Sequence, residues 1–148
     1  TTVSNDDNQV ERQMLGVGGA YVQKIKQYED IRGNLIVAQV ENELPFVPQR
    51  FFSVFDVPGK EVRGEHAHHI CEQFLVCLAG KVSCVVDDGT NKAEVRLDSP
   101  KMGLYIPPLT WGIQYKYSKD AVLAVFASHK YDNADYIRDY DEFLAIKK

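Results

Sequence analysis

The chain has 148 residues, of which 45% are hydrophobic and 26% charged, a balance that fits one globular domain able to bury its own core. The net charge is −4, with acidic and basic residues mixed along the chain. This distribution excludes an extended basic footprint for nucleic acid or a membrane surface, and we expect neither partner.

The first part of the chain, residues 1–20, is polar, then Gly-rich, and shows no clear hydrophobic periodicity. We interpret it as an N-terminal arm or linker that precedes a domain spanning residues 21–148. A frayed end, the end of a linker from a larger protein, and an arm that docks on a partner subunit remain open.

Short strand candidates follow one another from residue 35 onward, with turn signals between them. They are LIVAQV (35–40), RFFSVFDV (50–57), EQFLVCLA (72–79), KVSCVV (81–86), AEVRL (93–97), GLYIP (103–107), WGIQYKY (111–117) and AVLAVFAS (121–128). Asp88-Gly89 is a tight-turn signal, and Gly80 separates two apolar runs at a sharp bend. About eight short strands spaced in this way indicate an all-β sandwich or barrel.

The tail, residues 132–148, has a different character. Ile137, Tyr140 and Leu144 are spaced as i, i+3 and i+7, which predicts a short C-terminal amphipathic α-helix.

The three cysteines, Cys71, Cys77 and Cys84, lie within or beside apolar runs. Their odd number and setting predict buried free thiols in a reducing compartment. No apolar stretch approaches the roughly 20 residues of a membrane span, and no signal-peptide pattern is visible. We therefore expect a cytoplasmic protein.

The segment GEHAHH, residues 64–69, holds three of the four histidines. Side chains alternate along a strand, so His66 and His68 share one face with Gly64, whereas His69 takes the other. Burying two imidazoles on one face is costly, which favours a functional pair over a structural one. A metal site and an acid/base pair both fit this spacing.

The residues around this strand resemble the first motif of the cupin family, a glycine, H-x-H, a carboxylate and a glycine. Here they are Gly59, His66, His68, Glu72 and Gly80. In metal-dependent cupins the two histidines and the carboxylate bind a metal.

The second cupin motif, P-x-G-x-x-H, resembles PPLTWG (107–112), with Leu109 in place of the glycine and Gly112 in place of the histidine ligand. The missing ligand favours a site without metal. A metal-dependent enzyme built on His66, His68 and Glu72 remains an alternative, because three ligands can hold a metal.

A longer resemblance is to the dTDP-4-keto-6-deoxyglucose 3,4-ketoisomerases, a branch of the cupins. It is carried by IRGNL (31–35), LPFVPQRFFSVFDV (44–57), RGEHAHHICEQFLVCLAGKVSCVVDDG (63–89), LDSPKMGLYIPPLTW (97–111) and ASHKYDNADYIRDYDEFL (127–144). The resemblance implies a cupin jelly-roll barrel, a homodimer, and catalysis without metal or organic cofactor. Some members are fused to an acyltransferase, so the chain is also interpreted as the isomerase domain of such a protein.

The reaction that the resemblance implies moves a carbonyl from C4 to C3 of the sugar through an enediol. It needs a base for the C3 proton and an acid at C4. By resemblance, His66 and His68 are the catalytic pair, and imidazoles exchange protons near neutral pH. Which histidine acts as the base stays open.

The implied substrate is a dTDP-linked 4-keto-6-deoxy sugar, whose diphosphate calls for cations. Arginine suits phosphate because its planar fork donates two hydrogen bonds at once. The resemblance places seven residues around the substrate: Arg32, Arg50, Arg63, Glu72, Gln73, Tyr105 and Trp111. Arg32 favours the galacto over the gluco product. A cupin that binds a nucleotide sugar without turnover is a further alternative.

Overall fold

The computed structural model describes residues 11–58 and 60–148. The strands are β1 Arg12–Met14, β2 Tyr21–Lys24, β3 Gln27–Asp30, β4 Gly33–Ile36, β5 Arg50–Phe55, β6 Arg63–His68, β7 Gln73–Ala79, β8 Val82–Asp87, β9 Lys92–Leu97, β10 Met102–Ile106, β11 Trp111–Tyr115, β12 Val122–Ala127 and β13 Tyr136–Ile137. A 3-10 turn, Asn133–Asp135, precedes β13, and helix α1, Tyr140–Lys147, follows it.

Two antiparallel sheets face each other, one of six strands in the order β1-β2-β10-β7-β12-β5 and one of five in the order β13-β6-β11-β8-β9. The main core lies between them, where Leu75 and Cys77 from one sheet meet Cys84 and Val86 from the other. The β3–β4 hairpin forms a separate two-stranded sheet. This architecture confirms the cupin jelly roll with a short C-terminal helix.

Each sheet also has a covered outer face. On the six-stranded sheet, the segment that follows β2 packs Ile25, Leu44 and Phe46 over Phe74 and Val76. On the five-stranded sheet, α1 seats Phe143 in a cluster with Ala67, Trp111 and Ile137. Strand residues of one parity therefore enter these outer clusters, while their neighbours face the barrel interior.

The tail departs from the helix that its spacing predicts. Ile137 lies in β13 and pairs with Ala67 of β6, so a helix that includes Ile137 is wrong. The helix begins only at Tyr140, because the Asp139 side chain caps it by accepting a hydrogen bond from the Asp141 N–H. As a result the tail supplies an edge strand next to the histidines.

The described part of the N-terminal segment pairs with its own chain. Strand β1 is antiparallel to β2, and Val17 and Ala20 are buried in the main core. Residues 1–10 and Gly59 lie outside the described residues, and the division of the chain near residue 20 stays a prediction.

The three cysteines are buried and free, as the sequence predicts. In the part of the chain that the structure describes, no helix has both the length and the apolar character to span a membrane.

Candidate active site

The barrel interior contains a cavity of about 320 Å³ whose lining includes residues of β5 and β6. Its volume lies at the lower end of the range for small-molecule sites. Polar side chains contribute much of its wall, among them Arg63, His66, Gln73, Gln114, Tyr136 and Arg138. A concave site with this set of donors and titratable groups is suited to a polar ligand.

Strand β6 brings one of the two predicted catalytic histidines, His66, to the cavity wall. Gly64 and His66 line the cavity, while His69 is exposed. His68 is only 4% exposed and lies behind the cavity wall, with its ring centroid 4.8 Å from that of His66. The ring of Tyr136, which lines the cavity, lies 4.4 Å from His68 and 5.0 Å from His66. The two imidazoles and the phenol form one cluster.

His68 has a carboxylate partner. Its Nδ1 lies 3.0 Å from Oδ2 of Asp135, and its Nε2 is buried without a hydrogen-bond partner in the described structure. Burial lowers the pKa of His68, and this effect outweighs the hydrogen bond and charge of Asp135, which raise it. The pKa of Asp135 is raised by burial, but hydrogen bonds from the Ile70 and Cys71 N–H groups and from His68 bring it below its usual range.

His66 differs from His68 because no carboxylate partner accompanies it among the described residues. Burial, followed by the positive charges on His68, Arg138 and Arg50, lowers the pKa of His66 to about 4. His66 is therefore neutral at pH 7 in the absence of ligand, and so is His68, whose pKa is also lowered.

Two arginines lie beside the histidine cluster. Arg50 donates from Nη1 to the Tyr136 hydroxyl at 3.4 Å, and its Nε is buried without a partner in the described residues. Cζ of Arg138 lies 4.2 Å from the Tyr136 ring centroid, and its Nη1 donates to Asn133 at 2.7 Å. Their charges disfavour histidine protonation and attract an anionic ligand.

Of the seven predicted substrate-contact residues, three arginines and one glutamine are compared with the cavity first: three of these four lie at it and one does not. Arg63 and Gln73 line the cavity, and Arg50 reaches Tyr136 on its wall. Arg32 lies at the exposed tip of the β3–β4 hairpin, where it is paired with Asp30 and does not line this cavity.

The other three, Glu72, Tyr105 and Trp111, belong to the outer faces of the sheets. Glu72 accepts a 2.5 Å hydrogen bond from the Tyr105 hydroxyl, and the Tyr105 ring stacks on Tyr21 at 4.8 Å. Trp111 is packed under α1. Because their neighbours along each strand take the inward positions, the structure does not bring these three side chains to the cavity, and placing them there is corrected.

The three metal ligands of the metal-dependent alternative, His66, His68 and Glu72, are likewise not brought together. Among the described residues, the His, Cys, Asp and Glu group close enough to share an ion is His68, Cys71 and Asp135, which does not include His66 or Glu72. Gly112 lies directly across from His66 in the sheet, so the position of the absent fourth ligand faces the cavity side. Leu109 has a φ of 56°, which explains why this position suits glycine.

Sequence reasoning missed Asp135, Tyr136, Arg138 and Gln114 as site residues. The first three belong to the ADYIR stretch of the tail, for which the sequence predicts a helix from the spacing of Ile137, Tyr140 and Leu144. The sequence signal for these three site residues is a short segment that carries an acid, a tyrosine and an arginine. Gln114 shares strand parity with Gly112, so alternation along β11 places it on the cavity side.

Comparison with known proteins gives consistent relatives. Residues 19–148 match the family model described as FdtA: WxcM-like, C-terminal. A TDP-4-oxo-6-deoxy-alpha-D-glucose-3,4-oxoisomerase of Aneurinibacillus thermoaerophilus is 44% identical over 118 residues, which is 80% of this chain and 85% of the relative.

Two solved structures illustrate the similarity of fold. WlaRA, a TDP-fucose-3,4-ketoisomerase from Campylobacter jejuni, has 32% identity and a TM-score of 0.82, covering 87% of this chain and 96% of its own. A mutant of the 3,4-ketoisomerase QdtA from Thermoanaerobacterium thermosaccharolyticum, in complex with TDP-4-keto-6-deoxyglucose, has 30% identity and a TM-score of 0.85, covering 88% and 95%.

Proposed function

The chain belongs to the FdtA family (WxcM-like, C-terminal) and is a TDP-sugar 3,4-ketoisomerase, and we propose that it acts on TDP-4-keto-6-deoxyglucose by proton transfer at His66 and His68. The observation that carries the mechanism is the histidine cluster at the barrel cavity. Two neutral imidazoles, one of them bound to a carboxylate, supply a proton acceptor and a proton donor within one site.

The reaction moves protons at C3, O4, O3 and C4. The C4 carbonyl acidifies the C3–H, a base removes that proton while the electron pair forms the C3–C4 double bond, and the C4 oxygen gains a proton, which gives an enediol. The C3 hydroxyl then loses its proton as the C3 carbonyl forms, and C4 receives a new proton. The atoms balance without an external oxidant, and each transfer lies within the range of an imidazole.

Assignment of the roles follows from the partners of the two rings. His68 has Asp135 to stabilise its protonated form, whereas the described structure gives His66 no carboxylate partner and lowers its pKa to about 4. We propose His68 as the base that removes the C3 proton. We propose His66 as the group that hydrogen bonds to the oxygen at C4 and supplies the proton that this oxygen gains. Because Nε2 of His68 is buried, a neighbouring ring must rotate aside when the sugar binds.

The diphosphate is expected near the cavity mouth. Arg63 lines both the cavity and an adjoining depression formed by the end of β5 and the loop after it. Arg50 and Arg138 place two further guanidinium groups beside Tyr136, where they stabilise negative charge on the enediolate oxygen or on phosphate.

The β3–β4 hairpin bears on both the dimer and the configuration of the product. The β3–β4 hairpin exposes Tyr28, Ile31 and Leu35, an apolar surface that supports a homodimer. Arg32 sits at its tip and does not line the cavity of its own chain, so we propose that it contacts the sugar in a second copy and favours the galacto product. Size-exclusion chromatography with light scattering tests the dimer.

The compartment and the full-length context are further proposals. Three free, buried cysteines support a reducing, cytoplasmic setting. Fusion to an acyltransferase is tested by the mass of the protein in its source cells.

The experiment for the function follows the carbonyl directly. Purified protein is incubated with TDP-4-keto-6-deoxyglucose, with and without chelator, and NMR records whether the keto group moves from C4 to C3. Conversion that persists with chelator and is lost in His68→Asn supports the proposal. Tight binding without conversion favours a nucleotide-sugar-binding cupin, and loss of conversion with chelator favours the metal-dependent alternative.

A further inference from the structure

The carboxylate of Asp135 is fixed in orientation by its surroundings. Its Oδ1 accepts from the Ile70 N–H at 2.8 Å, and its Oδ2 accepts from the Cys71 N–H at 3.2 Å. The backbone is held as well, because the Asp135 carbonyl accepts from the His69 N–H at 3.0 Å. The carboxylate therefore cannot rotate without losing buried hydrogen bonds, and Oδ2 remains directed at His68.

This fixed acceptor determines where His68 carries its proton. An ionised carboxylate accepts hydrogen bonds and donates none, so the 3.0 Å contact requires a proton on Nδ1 of His68. The other tautomer would oppose two lone pairs in a site where His68 is 4% and Asp135 8% exposed. In the neutral ring, Nε2 is then the acceptor.

The position of Nε2 is unusual for a structural histidine. It is buried, and the described structure offers it no partner, which is costly for a polar atom. The ring that carries it packs against His66 and Tyr136, both of which line the cavity. An unpaired acceptor next to a polar cavity is what a proton-abstracting group requires.

We propose that Asp135 is a positioning residue that holds the proton of His68 on Nδ1 and thereby leaves Nε2 as the atom that takes the C3 proton. This inference rests on the proposed proton-transfer function. As the ring gains a proton on Nε2, Asp135 stabilises the resulting imidazolium, and it releases no proton itself.

An amide at this position cannot reproduce both roles. In Asp135→Asn, one oxygen and one NH₂ group replace two acceptors, so a backbone N–H of Ile70 or Cys71, or Nδ1–H of His68, meets a donor. The orientation that keeps the backbone bond to Ile70 presents NH₂ to Nδ1 and drives the proton of His68 to Nε2.

The test combines ¹⁵N NMR of the His68 ring with steady-state kinetics on TDP-4-keto-6-deoxyglucose. We expect the wild-type ring to be protonated at Nδ1 and not at Nε2 near pH 7.5. We expect Asp135→Asn to protonate Nε2 and to lower kcat by about 100-fold or more, with KM within about threefold. A wild-type ring protonated at Nε2, or a kcat loss in Asp135→Asn below about tenfold, overturns the proposal.

A matched control comes from the same turn. Asp132 caps the 3-10 turn by accepting from the Ala134 N–H at 3.0 Å and does not contact His68. Asp132→Asn makes the same chemical change and keeps a residue suited to capping, so its tautomer and kcat should match wild type. A kcat loss in Asp132→Asn equal to that in Asp135→Asn contradicts the assignment, because the turn alone would then explain it.

The outcomes separate this proposal from the function on which it rests. The tautomer is measured on the wild-type protein without substrate, so it stays decisive if Asp135→Asn fails to fold. A wild-type protein that does not convert the sugar overturns the proposed function, whatever the tautomer. Conversion by the wild type with an unaffected Asp135→Asn overturns only the role of Asp135.

Discussion

His66 meets His68 edge to face, with ring centroids 4.8 Å apart and ring planes at 89°. At this separation a proton on one ring disfavours a proton on the other, and burial adds to the effect. The pair is therefore neutral at pH 7 and ready to accept a proton from a bound substrate.

The lowered pKa of His66 predicts a loss of stability in acid. The ring has a pKa of about 4 when folded, against an ordinary pKa of 6.5 for histidine, so between these values the unfolded chain binds a proton that the folded chain does not. The free energy of unfolding should fall as pH decreases from 6.5 to 4, by up to about 1.4 kcal/mol per pH unit for this group. Urea titrations at several pH values measure it.

The variant His66→Asn should flatten this dependence. His69→Asn serves as its control, because His69 is exposed and follows the end of β6. Equal acid slopes in wild type and His66→Asn would show that the ring titrates normally in the folded protein.

Removal of either cavity histidine is predicted to abolish most of the activity while the fold remains. His66→Asn and His68→Asn should each lower kcat by roughly 10²–10⁴, the usual contribution of a positioned acid or base. His69→Asn should retain wild-type kcat. Circular dichroism and thermal unfolding establish folding, and activity within about threefold of wild type in His68→Asn would contradict its role.

The outer-face pair Glu72 and Tyr105 is predicted to matter for stability and not for proton transfer. Their 2.5 Å hydrogen bond joins the residue before β7 to the neighbouring β10 away from the cavity. Tyr105→Phe removes the donor and should lower the free energy of unfolding by about 1.5–3 kcal/mol, as for a hydrogen bond to a charged group. Denaturant unfolding measures it, and a kcat reduction above about tenfold would return these residues to the site.

Gly64 is predicted to resist substitution because of its backbone. Its φ is 82°, and an added Cβ would contact the side-chain amide of Gln114 in the cavity. Gly64→Ala should cost about 1–3 kcal/mol in the free energy of unfolding from the left-handed conformation. Gln114→Ala in the same chain relieves only the contact, so the double variant should remain destabilised; full recovery would assign the cost to crowding instead.

The strand pattern of the sequence predicts an all-β sandwich or barrel, and the family resemblance adds the jelly roll. Alternation is a local rule that holds from His66 to His68, although β6 is irregular at Gly64, where φ is 82° and the register with β11 shifts. The assignments of Glu72, Tyr105 and Trp111 were less successful. Proximity to a motif along the chain does not say which face a side chain takes, and both faces of these sheets are covered by apolar clusters.

The tail shows a second limit of the sequence. Ile137 fits helical spacing with Tyr140, yet its partner is Ala67 of β6, 70 positions earlier in the chain. Pairing at that sequence separation is decided by tertiary structure, which overrides local periodicity. Because the strand was missed, so was the carboxylate of Asp135 that lies just before it.

The most direct test of histidine proton transfer is the isotopic content of C4 in the product. The protein is incubated with TDP-4-keto-6-deoxyglucose in heavy water, and NMR determines the hydrogen isotope at C4 of the 3-keto sugar. We predict deuterium at C4 for the wild type and product formation slowed by roughly 10²–10⁴-fold for His68→Asn. Protium retained at C4 would mean that the C3 proton is carried to C4 without exchange with solvent. A His68→Asn variant with wild-type turnover would contradict transfer through an enediol by this pair.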